Sequence, residues 1–213
     1  PINYNEIRKL LEEQVILPGG SLLYGIGNNY AVTSLGNCFV IGNDADSIGG
    51  IFTTAQEQAQ LMKRRAGVGH DISHLRGKGS PIKNSAKQST GIATWEDLYS
   101  FTTRKIAQDG RRGALMMSCN INHPQSEEFI VSKDDTTQIT GANISVKVDD
   151  KFMNLVREPF VNKSHKQKET WNKLIHQAWK TAEPGVLFWD TITRESPADC
   201  YENFQSISTN PLT

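Results

Sequence analysis

The run QDGRRGALMMSCNINHPQSEEFI, residues 108–130, puts a glycine-flanked arginine pair directly before an apolar segment, and a polar segment opened by proline after it. At its centre, ALMMSCNI (residues 114–121) has the length and apolar character of a buried strand. Pro124 fits the first position of a helix through QSEEFIVSK. Toward the N-terminus, Thr94-Trp95-Glu96-Asp97 reads as a capping box for a helix running to about Gln108. Before it, a polar helix over residues 52–65 leads into a loop, Ala66-Gly67-Val68-Gly69, and VTSLGNCFVI (residues 32–41) reads as a buried strand. Tyr4 to Gln14 has helical spacing and is stopped by Pro18-Gly19-Gly20. Toward the C-terminus, residues 140–148 alternate as a strand and residues 170–182 form an amphipathic helix. Pro184-Gly185 ends that helix, and VLFWD follows as a short strand. Strands alternating with helices predict an α/β fold with a largely parallel sheet.

Composition narrows the classes. The 213 residues are 37% hydrophobic and 22% charged, ordinary values for a globular chain. Lys+Arg and Asp+Glu both number 23, so no net field draws the chain to nucleic acid or an anionic membrane, and neither is expected as a partner. No apolar run approaches the roughly 20 residues of a spanning helix. The start, PINYNEIRKLLEEQ, lacks the layout of a signal peptide. Three widely spaced cysteines, Cys38, Cys119 and Cys200, argue against a disulfide scaffold and fit a reducing cytosol, so a cytoplasmic location is expected.

Residues that could carry chemistry are grouped in loops. Gly19-Gly20-Ser21, Ala66-Gly67-Val68-Gly69 and Gly110-Arg111-Arg112-Gly113 could each let a backbone approach an anion, or could be plain turns. None fits a dinucleotide fingerprint or a Walker loop. Arg111-Arg112, with Arg76 and Lys83 in LRGKGSPIK, favours a phosphorylated ligand over solvated surface charge. His70 and His74 lack a third ligand, so no metal site is expected. Cys38 within an apolar run reads by default as a buried structural thiol.

Taken in order, seven motifs resemble the catalytic subunit of ribonucleotide reductase. They are SLGNCFVI around Cys38, DSIGG at Asp46, RAGVGHDISHLRGKGSPI from Arg65, and QDGRRGALMMSCNINHPQSEEFI from Gln108. NISVKVDDKFM from Asn143, EPGVLFWD from Glu183 and ISTNP from Ile207 complete the series. The texture of NHP, RRGA and STNP is more similar to adenosylcobalamin-dependent class II members than to diiron class I enzymes. The resemblance implies a ten-stranded α/β barrel of two parallel halves. Residues 1–20 would close a preceding helical region, and residues 21–213 would form the first, incomplete half-barrel.

It also implies a chemistry. A thiyl radical abstracts the ribose 3′-hydrogen, the 2′-hydroxyl leaves as water, and a cysteine pair supplies two electrons. Cys38 matches the first member of that pair. Asn210 matches the asparagine of the radical-cysteine loop, which binds substrate. Ser21, Asn37 and the Gly67 backbone fall where members hold substrate. Asp44, Asp46, Ser47 and Ile48 match the segment gripping a deoxynucleotide or ATP effector; Arg76 and Lys83 match its first specificity loop, and Gln108, Arg111 and Arg112 its second. The implied radical source is adenosylcobalamin, or else a separate metal-containing subunit.

In the family, TNP is followed by the radical cysteine and a glutamate, whereas here Pro211 is followed by Leu212 and Thr213. The expectation is an incomplete active site that needs a C-terminal segment, in a homo- or hetero-oligomer. The competing expectation is a non-catalytic deoxynucleotide-binding regulatory chain or a remnant.

Overall fold

The structure, a computed structural model, describes residues 3–42, 45–108, 110–158 and 165–211. In chain order the elements are α1 (Tyr4–Glu12), α2 (Gly20–Gly25), β1 (Cys38–Val40), α3 (Ile48–Met62) and β2 (Gly67–Asp71). Then come α4 (Ile92–Lys105), β3 (Leu115–Asn120), α5 (Ser126–Ile130), β4 (Asn143–Val148) and α6 (Asp150–Arg157). The last are α7 (His165–Thr181), β5 (Gly185–Phe188) and α8 (Trp189–Glu195), with a 3-10 turn at Pro197–Cys200. The five strands form one wholly parallel sheet in the order β1-β2-β3-β4-β5. Each parallel neighbour needs a crossover, and crossovers of one hand stepping in one direction put their helices on one face. Among the described residues no helix is long and apolar enough to cross a membrane.

The two faces of the sheet differ in character. Toward the helices point Val68, Leu115, Met117, Cys119, Ile144, Val146 and Val148, all within the buried core. There they meet Ile51 and Met62 of α3, Ile92 and Tyr99 of α4, Phe129 of α5 and Leu174 of α7. His70 shares this face: it stands edge-on to Tyr99 at 4.4 Å and its Nε2 lies 3.3 Å from Gln58 Oε1. Full burial lowers its pKa from 6.5 to about 4, so the ring is neutral. Alternate residues, Gly67, Gly69, Asp71, Met116, Ser118, Ser145 and Lys147, point to the opposite face, which the 207–211 run crosses.

Several local expectations are corrected. The buried strand expected over 32–41 shrinks to Cys38–Val40, because β1 is an outer strand and Val32 and Leu35 stay exposed. The glycine-rich loop expected at 66–69 is instead strand β2, beside the centre of the sheet. The capping box at Thr94 is not used. Helix α4 begins three residues earlier, with Gly91 at φ +85° as its N-cap and Gln125 Oε1 accepting from the Ile92 N–H at 3.1 Å. With the cap supplied from across the fold, Glu96 turns inward and is 1% exposed. Gly20-Ser21 belongs to helix α2 rather than to a loop, and α6 and α8 are helices that the spacing did not suggest.

Candidate active site

The face of the sheet away from the helices brings the first and last thirds of the chain together. Cys38 is in register with Gly67 on the neighbouring strand. A Cβ on Gly67 would stand 2.7 Å from Cys38 Sγ and 2.9 Å from Pro211 Cγ, so sulfur and proline ring flank one point. A Cβ on Gly69 would stand 1.9 Å from the Thr209 carbonyl oxygen and 3.0 Å from Asn210 Cα. Glycine is required at both places so that the chain's own 209–211 run can lie against the strand. The structure therefore places Cys38, Gly67 and Asn210 at one locus.

Ser21 and Asn37 join them. Asn37 Oδ1 accepts from the Ser21 N–H at 3.0 Å, and Asn37 O accepts from the Gly67 N–H at 2.8 Å. That bond commits the Gly67 N–H within the chain. The hydroxyls of Ser21 and Thr209 are buried and have no hydrogen-bond partner among the described residues. Burial raises the pKa of the Cys38 thiol, against a backbone hydrogen bond at Gly67 and the charge of Arg111.

Arg111 reaches this side through Arg65, whose carbonyl accepts from its guanidinium at 2.6 Å. Arg65 in turn donates to Gln108 O at 3.0 Å and stacks over the Tyr24 ring at 3.9 Å. Gln108 is 3% exposed, its amide donating to Ala66 O, while Arg112 is exposed. Gln108 and Arg111 thus stand beside the Cys38 locus.

The remaining expected residues gather elsewhere. Asp46, Ser47, Ile48, Arg76 and Lys83 line one cleft of about 500 Å³, closed by Ile51 and Trp95. Ser47 caps α3, its hydroxyl accepting from the Gly50 N–H at 3.1 Å. Asp46 accepts from Arg76 Nε at 2.5 Å, which fixes the guanidinium at the cleft wall. Asp44 lies outside the described residues. Gln108, Arg111 and Arg112 do not line this cleft. A second cleft of about 530 Å³, walled by α5, α6 and α7, contains no residue singled out from the sequence as a site.

Sequence reading passed over Arg65, Asp71, Ser118 and Lys147. A lysine between the valines of the strand NISVKV was the available signal, since a charge on a buried strand needs a partner.

Comparison with known proteins shows the family. The family described as "Ribonucleotide reductase, barrel domain" matches residues 36–164. A vitamin B12-dependent ribonucleoside-diphosphate reductase of Thermoplasma acidophilum is 34% identical over 97% of this chain and 28% of its own length. One of the same name from Mycobacterium tuberculosis is 27% identical over 88% of this chain and 29% of its own. The chain therefore spans under a third of the length of these relatives. The class Id ribonucleotide reductase alpha subunit of Actinobacillus ureae shares the fold, with a TM-score of 0.69 at 22% identity, over 82% of this chain and 31% of that one. A match across more than half of the sequence, on a wholly parallel five-stranded sheet, makes this chain a member of the ribonucleotide reductase family, within its barrel domain.

Proposed function

We propose that the chain is part of the catalytic subunit of a ribonucleotide reductase, with residues 21–213 forming an incomplete first half-barrel and residues 1–20 the end of a helical region. The observation that carries this reading is the meeting of Cys38 with the 209–211 run over Gly67, between segments at opposite ends of the sequence. A thiol at that point is placed to reduce a substrate bound over the sheet. In the reaction two thiols lose two electrons and two protons and form a disulfide. The ribose 2′-hydroxyl leaves as water and hydrogen takes its place on carbon. Cys38 is one of the two thiols. Cys119 is sealed in the helix-side core, Cys200 is exposed in the 3-10 turn, and neither matches the family's second redox thiol, so both are read as structural. The second thiol and the radical cysteine come from the rest of the subunit, on the same polypeptide or on a partner, in a homo- or hetero-oligomer of the cytoplasm.

Asn210 and the buried hydroxyls of Ser21 and Thr209 suit a hydroxylated substrate, because each buried hydroxyl gains from a partner. The names of the relatives make a ribonucleoside diphosphate the first substrate to test. Adenosylcobalamin is the radical source we assign, since those relatives are named vitamin B12-dependent. The described residues do not themselves fit a corrinoid. Clefts of about 500 and 530 Å³ suit small ligands, and a corrinoid has several times the bulk of a mononucleotide. Its site belongs to other parts of the subunit.

The cleft of Asp46, Ser47, Ile48, Arg76 and Lys83 is the effector site in this reading, with cations for phosphate and a mostly apolar wall for base or sugar. Asp44 is assigned to the same site. Gln108, Arg111 and Arg112 form the loop that carries its state to the substrate. One observation favours a second reading, a purely regulatory nucleotide-binding chain: Asp46, Ser47, Ile48, Arg76 and Lys83 line one cleft apart from the Cys38 locus. Substitution in the complete reductase separates the two. Cys38→Ser abolishes ribonucleotide reduction and leaves deoxynucleotide affinity unchanged. Arg76→Ala weakens deoxynucleotide binding roughly tenfold, the loss expected for one charge-assisted contact. Full turnover by Cys38→Ser contradicts the enzyme reading and leaves the regulatory one.

A further inference from the structure

Residues 204–210 adopt no regular secondary structure, yet Ser208 is buried and the run lies in one register across the sheet. Gly69 permits close approach but does not fix that register. A slide of one residue, about 3.3 Å in extended chain, would put Thr209 or Pro211 where Asn210 stands.

We propose that Lys147 is the positioning residue that sets this register and so holds Asn210 against Gly69 and Pro211 beside Cys38. Lys147 lies on β4 and is 6% exposed. Its ammonium is 2.7 Å from Asp71 Oδ2, donates to Ile207 O, and sits 3.8 Å from the centre of the Trp189 ring. Asp71 Oδ2 also accepts from Ser118 Oγ at 2.8 Å, and that hydroxyl is 3.0 Å from Ser208 Oγ. Three adjacent strands and the start of α8 thus fix two consecutive residues, Ile207 by its carbonyl and Ser208 by its hydroxyl. Both anchors lie directly before Thr209-Asn210-Pro211.

A stability role alone does not explain this cluster. Desolvating two charges offsets most of what their attraction returns, and apolar residues in their place are often as stable. What an apolar pair cannot supply is a directional donor aimed at one carbonyl. The consequence for catalysis rests on the reductase reading, but the geometry and its test do not.

The test is peptide-resolved alkylation by iodoacetamide of the assembled native protein. Its free thiols respond differently: Cys200 is exposed and serves as the internal standard, while Cys119 is sealed in the core and reports general loosening. Lys147→Met keeps the length of the side chain and removes the donor. It raises Cys38 labelling about tenfold relative to Cys200, the factor for loss of one charge-assisted hydrogen bond, and leaves Cys119 protected. The pair Asp71→Asn with Lys147→Met relieves the unpaired carboxylate and recovers stability, and its Cys38 labelling stays fast. Unchanged Cys38 labelling in both variants overturns the proposal. So does a parallel rise of Cys38 and Cys119 in both, which means a merely structural role. Activity is measured separately with Cys38→Ser, so failure of the reductase reading leaves the labelling result standing.

Discussion

A single methyl group at Gly69 would meet the Thr209 carbonyl at 1.9 Å, and backbone cannot yield as a side chain does. Gly69→Ala therefore lifts the 207–211 run or bends β2, with a stability loss of about 2 kcal/mol, typical of overpacking. A melting curve checks it: Gly69→Ala lowers Tm by several degrees, whereas Gly79→Ala, whose Cβ meets nothing within 4 Å, acts only through its positive φ and lowers Tm less. The glycines at 67 and 69 were conspicuous in the sequence, and so was Cys38. What they accommodate was not legible, because the occupant is a segment some 140 residues further along the same chain. Lys147 was harder to see. Its partners Asp71, Ile207 and Trp189 come from separate elements, and nothing in local spacing links them.

At the scale of elements, α4 carries a buried acid. Burial raises the Glu96 pKa from 4.5 to about 8, the charge of Glu128 adding and the Ser132 hydroxyl opposing. Between those pH values the folded chain keeps a proton that the unfolded chain has lost, so Glu96 makes stability fall as pH rises, by at most about 1.4 kcal/mol per unit. His70 acts oppositely from about 4 to 6.5, where the unfolded chain holds the extra proton and stability rises with pH. The two slopes offset one another up to 6.5, and the Glu96 loss emerges from 6.5 to 8. Glu96→Gln is expected to be more stable than the parent at pH 8 and nearly equal at pH 5; His70 titrates alike in both, so the gap widens by roughly 3.5 kcal/mol. Urea titrations at the two pH values check this, and a constant gap contradicts it. Helix α4 also shows how element boundaries escape a linear reading. Thr94-Trp95-Glu96-Asp97 has the right residues for a cap, but the helix starts three residues earlier, capped by Gln125, and that contact exists only in the folded chain. The strands centred on ALMMSCNI and NISVKV were legible because parallel strands carry a continuous apolar face. Strand β2 was not, since GVGHD spends two of its five residues on glycine.

For the molecule as a whole, strand order β1-β2-β3-β4-β5 leaves β1 and β5 each paired on one side only among the described residues. Such edges are open to pairing with further strands. The sheet divides its work between faces: apolar residues hold α3, α4, α5 and α7, while glycine, serine, aspartate and lysine receive the 207–211 run. Family membership and a parallel α/β sheet were legible in the order of the motifs. The grouping of Asp46, Ser47, Ile48, Arg76 and Lys83 in one cleft, apart from the Cys38 locus, needed the fold. The central claim is that Cys38 gives up its electrons to substrate. Its most direct test is one turnover of the complete, prereduced reductase with ribonucleotide and no external reductant, followed by peptide mapping without reduction. Cys38 recovered in a disulfide with a cysteine other than Cys119 or Cys200, in amount equal to the deoxyribonucleotide formed, is the expected result. Deoxyribonucleotide formed while Cys38 remains a free thiol contradicts it.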